Sequence, residues 1–357
     1  MAPASTPPGP QPRPTLEGVP AYRAGRPAGS DVLKLSSNEN PFGPLPGVVE
    51  KAAAELARVN RYPDAGVTRL YDALAAHHAQ PADRFAAGTG SVAVLFSLLE
   101  AFAGPGDEVV HAWRSFEAYP IGIRLSGATA VPVPVRADGT HDLDAMAAAV
   151  TERTKVVIVC TPNNPTGPVV THDALVRFLA DLPSHVLCVV DEAYVEFVRD
   201  PSAARGLDLL DRPNVVVLRT FSKAYGLAGL RVGFAIATPD VAGAVRRATA
   251  PFSVTDVAQA AAVASLDARA ELDERVDAIV AERVAVVGAL RAQGWQVPDT
   301  EANFVWLPVG DDALDLAETF HPVSVRPFAG DGVRVTIGAP EANARLLDLA
   351  ARWLTTH

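Results

Sequence analysis

The sequence predicts an α/β protein: a mostly parallel sheet flanked by helices, with a smaller α+β domain. Three observations carry this. From Asp83 onward, short apolar runs alternate with helical patterns, the order that wraps a parallel sheet in helices. Several runs are continuous Val/Ile/Leu stretches, as strands covered on both faces require. Beyond about Asp267 the alternation gives way to one long amphipathic helix and shorter, separate runs.

In chain order, Val92 to Leu99 is a strongly apolar helical stretch, and Glu108 to His111 and Thr129 to Val131 read as strands. Asp142 to Val150 is helical. Lys155 to Cys160 is a strand, followed by a helical pattern over His172 to Leu182. Val186 to Val190, Val215 to Leu218 and Val232 to Ala237 complete the strands of the first domain. The second domain begins with a helix over Ala268 to Gln293. Strands over Phe304 to Leu307, Val323 to Arg326 and Val333 to Ile337 follow, and a helix over Pro340 to Leu354 closes it. The expected organisation is a disordered tail and N-terminal arm over 1–32, a large domain over 33–267 and a small one over 268–357. Part of the N-terminal segment should join the small domain.

The chain has 357 residues, 49% apolar and 20% charged, a globular composition with length enough for a sizeable core. A net charge of -10 argues against nucleic acid or an anionic membrane as the main partner, so an anionic ligand needs a local cationic site. Cys160 and Cys188 sit inside apolar runs, as small buried hydrophobes of a reducing compartment do. The eight histidines are scattered, without metal-ligand spacing. The Val92 to Leu99 stretch is too short to span a bilayer. MAPASTPPGPQPRP at the start contains six prolines and no apolar core, which suits a disordered tail and not a signal peptide. The expected location is cytoplasmic.

In an open parallel sheet, ligands bind at the carboxyl ends of the strands. Four such ends stand out. Ala86-Ala-Gly-Thr-Gly-Ser-Val-Ala93 runs into a helix whose first N–H groups attract an anion. It is compatible with a phosphate site, with a dinucleotide fingerprint, or with an ordinary Gly-rich turn. Cys160-Thr-Pro-Asn-Asn-Pro-Thr-Gly167 is a rigid turn carrying two amides. Asp191 directly follows the apolar run 186–190, where a carboxylate needs a cationic or N–H partner unless it caps a helix. Finally, Thr220, Ser222 and Lys223 leave their strand together and Arg231 returns before the next. They are either a phosphate cradle with a working amine or solvated surface charges.

A phosphorylated pyridine aldehyde explains all four ends at once. It needs an amine, a carboxylate for its ring nitrogen, donors for its ring oxygen and an anion site. The motifs Leu35-Ser-Ser-Asn-Glu-Asn-Pro41, Arg61-Tyr-Pro-Asp64, Asn163-Asn-Pro-Thr-Gly167, Asp191-Glu-Ala-Tyr194, Thr220-Phe-Ser-Lys-Ala-Tyr225 with Gly229-Leu-Arg231, and Gly332-Val-Arg-Val-Thr-Ile-Gly338 run in family order from about Leu33 to the end. The chain resembles a fold-type I pyridoxal-phosphate aminotransferase of the histidinol-phosphate and aromatic branch.

The resemblance implies a role for each matching residue. Lys223 resembles the Schiff-base lysine that also moves the substrate α-proton. Asp191 resembles the partner of the pyridinium nitrogen, and Asn164 and Tyr194 the donors to the ring oxygen. Ser91, Ser222 and Arg231 resemble the phosphate site, with Thr220 and Val92 beside it. Tyr62 is similar to the tyrosine that reaches the phosphate in the neighbouring subunit, which implies a homodimer with shared active sites. Arg334 resembles the arginine that grips the substrate carboxylate, and Asn38 and Arg326 are further substrate-binding candidates. The implied cofactor is pyridoxal 5'-phosphate, and the implied substrates are an amino acid and a 2-oxo acid.

Two places depart from the histidinol-phosphate pattern and resemble the aromatic (phenylalanine) subgroup instead. The turn Gly90-Ser-Val-Ala93 lacks the acid usual after its serine, and the ring-stacking segment reads Trp113-Arg-Ser-Phe116, so Phe116 stacks without a hydroxyl. The expected activity is transfer of an aromatic amino group to 2-oxoglutarate or a similar acceptor, with histidinol-phosphate transamination as the alternative. Arg326 keeps that alternative open, since a second arginine near Arg334 suits a substrate phosphate. A nucleotide-binding protein and a catalytically silent relative are the readings from other classes.

Overall fold

The computed structural model describes residues 13–17, 19 and 32–356. Most of the tail and arm expected over 1–32 lies outside the described residues. Within that stretch, Pro14–Leu16 forms a 3-10 turn and Arg13 donates to the Leu125 carbonyl at 2.7 Å. In chain order the strands are β1 (Leu33–Lys34), β2 (Phe85–Gly88), β3 (Glu108–Trp113), β4 (Thr129–Pro134), β5 (Thr154–Cys160), β6 (Leu187–Asp191), β7 (Val215–Thr220), β8 (Gly233–Ile236), β9 (Phe304–Leu307), β10 (Val323–Ser324), β11 (Arg326–Phe328) and β12 (Gly332–Thr336).

The large sheet has the order β2-β8-β7-β6-β5-β3-β4. All its pairings are parallel except those of β8, which runs against both β7 and β2. Its central strands are β-branched because both faces are covered. Val157, Val159, Cys188, Val190, Val215 and Val217 face one buried core; Val156, Ile158, Cys160, Leu187, Val189, Val216 and Leu218 face the other. That is the period-two alternation of a pleated strand. β4, with Pro132 and Pro134, closes one edge, where missing N–H groups do least harm.

Among the described residues, three of the helices carry a side-chain cap at their N-terminus. The side chains of Asp142, Thr171 and Thr255 each accept from the N–H three residues on, satisfying a donor with no partner inside the helix. The Thr255 cap opens Asp256–Asp267, an alanine-rich helix not anticipated above.

The second sheet is antiparallel, in the order β11-β12-β9. The single strand expected over Val323 to Arg326 is two strands. β10 pairs in parallel with β1, so the N-terminal segment joins this end of the chain, and at Val325 the chain changes partner from β1 to β12. Among the described residues, no helix is long and apolar enough to cross a membrane.

Candidate active site

A cavity of about 520 Å³ opens at the carboxyl ends of the large sheet. Its wall combines strand ends of that sheet with Ser36, Ser37 and Glu39 from the N-terminal segment and with Arg326, Phe328 and Arg334 from the small sheet.

The reversal of β8 builds one end of it. Gly233, the first residue of β8, lies opposite Gly88 on one side and Thr220 on the other. The turn after β2 and the turn after β7 therefore meet beside the start of the helix Ser91–Phe102. A Cβ on Gly233 would come within 2.3 Å of the Ser91 nitrogen, and one on Gly90 within 2.5 Å of the Arg231 guanidinium. Gly90 also has φ 89°, which disfavours any side chain. Arg231 donates to Ser222 Oγ at 3.3 Å and to the Thr89 carbonyl at 3.4 Å, and Ser222 N–H donates to Thr220 Oγ1 at 3.1 Å. Helix N–H groups, a hydroxyl and a guanidinium converge here, a donor set for a phosphate-sized anion.

Asp191 lies at the floor, at the end of β6 and opposite Cys160 of β5. Its Oδ2 accepts from the Tyr119 hydroxyl at 2.7 Å and its Oδ1 from the Ala193 N–H at 3.2 Å. Burial pushes this carboxyl up to about 6, against the pull of those two donors. Lys223 lines the same cavity, with Nζ donating to the Ser37 carbonyl at 3.2 Å. Burial, aided by the nearby Arg334 guanidinium, pushes its amine down to about 7. An amine that is partly neutral near pH 7 can attack a carbonyl or carry a proton.

Asn164 and Tyr194 complete the inner wall. Arg334, buried on β12, donates to Asn164 Oδ1 and, at 2.9 Å, to the Ser36 carbonyl. Asn38 is not on the cavity wall. Fully buried, it donates through Nδ2 to the Tyr194 hydroxyl at 2.9 Å and through its backbone to Thr336 Oγ1 at 2.8 Å. Its carboxamide is thus engaged by Tyr194 and, through Oδ1 accepting at 3.1 Å, by the Thr336 hydroxyl.

Val92, Phe116, Phe328 and Arg326 also line the cavity. Arg326 pairs with Glu117 at 2.7 Å. Tyr62 is elsewhere, 81% exposed and stacked on Phe252 with ring centroids 4.7 Å apart. The structure thus gathers Ser91, Val92, Phe116, Asn164, Asp191, Tyr194, Thr220, Ser222, Lys223, Arg231, Arg326 and Arg334 round one cavity, and leaves Tyr62 and Asn38 off its wall. Sequence reasoning gave no role to Tyr119 or Glu117. Tyr119 lies three residues after Phe116, the spacing that puts both on one face of a helical turn.

The family model for aminotransferase class I and II matches residues 30–349. A relative from Streptomyces avermitilis, named aromatic amino acid aminotransferase, is 55% identical over 350 residues, covering 96% of this chain and 98% of its own. One of the same name from Thermobifida fusca is 56% identical over 348 residues, with 96% of each chain covered. Among solved structures, the histidinol-phosphate aminotransferase of Sinorhizobium meliloti, in complex with pyridoxal-5'-phosphate, superposes with TM-score 0.84 at 28% identity over 96% of each chain. Aspartate aminotransferase from Thermus thermophilus with maleate gives TM-score 0.79 at 26% identity, over 90% of this chain and 91% of that one.

Proposed function

We propose, on the premise that this chain belongs to the aminotransferase class I and II family, that it moves the amino group of an aromatic L-amino acid to a 2-oxo acid such as 2-oxoglutarate. The single observation that carries the chemistry is the placement in one cavity of the Lys223 amine, the buried Asp191 carboxylate and the cradle of Ser91, Ser222 and Arg231.

Pyridoxal 5'-phosphate fits this donor set. The cradle that a Cβ at Gly233 or Gly90 would fill takes the phosphate, with Thr220 and Val92 beside it. Asp191, ionised at neutral pH, keeps the proton on the ring nitrogen. Asn164 and Tyr194 donate to the ring oxygen, with Asn38 orienting Tyr194, and Phe116 supplies a stacking face. When bound, the cofactor supplies an electron sink for the charge that develops at the substrate α-carbon.

The chain's own groups do the rest. Lys223 Nζ would hold the cofactor through its aldehyde and, as a neutral base, would take the substrate α-proton. Arg334 clamps the substrate carboxylate through a planar fork. A ping-pong cycle then returns the amino group to the 2-oxo acid. Tyr62 of the partner subunit reaches the phosphate in a homodimer. Its exposed ring, beside the exposed Val59 and Phe252, suits a surface that a second copy covers. The large domain of this reading spans 33–267 and the small one 268–357, and the enzyme works in the cytoplasm.

Aromatic side chains are favoured by the apolar lining residues Val92, Phe116 and Phe328 and by the names of relatives about half identical to this chain. A screen of amine donors against 2-oxoglutarate tests this. Phenylalanine, tyrosine and tryptophan should each exceed histidinol phosphate in kcat/KM, and purified protein should show near-visible absorbance that borohydride abolishes. A ratio favouring histidinol phosphate would replace the aromatic reading with the histidinol-phosphate one.

A further inference from the structure

Arg326 and Arg334 stand directly opposite each other in the antiparallel pair β11–β12, so both project from the same face of the small sheet. Both reach the cavity, and both guanidinium carbons lie near the Phe328 ring, at 5.5 and 5.8 Å from its centroid. Two such cations suit a dianionic phosphate, where a carboxylate needs a single arginine, and like charges directly opposite repel. Glu117 changes this. It sits just after Phe116, immediately before the helix Ala118–Ser126, and its Oε2 accepts from Arg326 Nη2 at 2.7 Å. Their side chains are only 30% and 13% exposed, and both line the cavity.

We propose that Glu117 is a specificity-determining residue that sets which amino donors the site accepts, by holding Arg326 in an ion pair at the cavity wall. The proposal rests on the aminotransferase reading above. With Glu117 in place, the Arg326 cation is already neutralised, and the dianionic phosphate that histidinol phosphate carries in place of a carboxylate meets the Glu117 carboxylate. A phosphorylated donor must break the pair and approach that carboxylate. A donor with a carboxylate needs neither, because Arg334 alone holds it, and its apolar side chain finds the Phe328 ring. Discrimination of this kind comes from repulsion built against the wrong ligand as much as from contacts to the right one. A purely architectural pair, tying the small sheet to the large one, would affect all donors alike.

The test uses holoenzyme with phenylalanine and histidinol phosphate as donors and 2-oxoglutarate as acceptor. Glu117→Gln should raise the kcat/KM ratio of histidinol phosphate to phenylalanine by about tenfold or more, the scale of a close interfacial charge pair, mainly through a lower KM for the phosphorylated donor. Glu117→Asp keeps the charge and should restore most of the wild-type ratio. The double variant Glu117→Gln with Arg326→Gln should lose the gain. Inorganic phosphate should compete with phenylalanine more strongly in Glu117→Gln than in wild type. If Glu117→Gln gives no folded protein, Glu117→Ser makes the same charge change in a smaller side chain. A wild type that prefers phenylalanine, with a ratio unmoved in whichever of these neutral variants folds, overturns the proposal alone. A wild type without phenylalanine turnover overturns the aromatic reading beneath it.

Discussion

The Tyr119 hydroxyl donates to the Asp191 carboxylate at 2.7 Å across 72 residues of chain, with both residues buried. The bond stabilises the ionised form of a carboxyl that burial alone would push higher. Tyr119→Phe should therefore raise the Asp191 pKa, and loss of one hydrogen bond to a charged group, about 1.5–3 kcal/mol, corresponds to about one to two units. The acid limb of the kcat profile for phenylalanine should move up accordingly. An acid limb that stays in place would show that Tyr119 does not set this carboxylate.

Asp191 also makes the cofactor-free protein pH-sensitive. Burial pushes its carboxyl up to about 6, above the ordinary aspartate range, so its ionisation disfavours the folded state. That cost develops as pH rises from about 4 through 6 and is complete above. Asp191→Asn removes it. The melting temperature of the cofactor-free variant, relative to wild type, should rise across that window while transamination falls.

Lys223 should behave as an amine of pKa about 7. Attachment of pyridoxal phosphate to cofactor-free protein should accelerate as pH climbs through 7 and level off above it, whereas an ordinary lysine would still be accelerating at about pH 9. Lys223→Ala should yield no borohydride-stable adduct and lose turnover by at least the roughly 10²–10⁴-fold that general acid–base assistance supplies. An adduct on another lysine with near-normal turnover would reassign the amine.

Tyr62 does not line its own chain's cavity and stacks on Phe252. If it serves the partner subunit's site, equimolar mixing of inactive Tyr62→Ala and Lys223→Ala proteins should restore activity, with about a quarter of all sites intact after random exchange of a two-fold dimer. No recovery after proven subunit exchange would place Tyr62 outside catalysis.

Arg334→Ala should lower kcat/KM for phenylalanine and 2-oxoglutarate together by about a hundredfold, within the range for truncating one partner of a buried charge pair. Arg334→Lys should recover only part of this, because an ammonium cannot reproduce the fork. Damage confined to one of the two substrates would argue against a shared carboxylate clamp.

The sequence by itself determined where polar groups break out of buried strands. Asp191 after the apolar run 186–190, Asn164 in its Pro-bounded turn, and Ser222 and Lys223 just past β7 were all legible, because pleat and turn chemistry act over a few residues. The long helix Arg269–Gln293 and the small-sheet strand Phe304–Leu307 were legible for the same reason. Tertiary structure decided the partners. Tyr119 meets Asp191, Arg334 meets Asn164 across 170 residues and Arg326 meets Glu117 across 209. Such pairs depend on strand order and on how the two sheets sit across the cavity, which no local pattern encodes. Asn38 shows the same limit: its motif identified it, but only tertiary packing engages its carboxamide with the Tyr194 and Thr336 hydroxyls. The reversal of β8 brings two distant turns to one anion cradle, because a strand's direction is settled by the neighbours it pairs with.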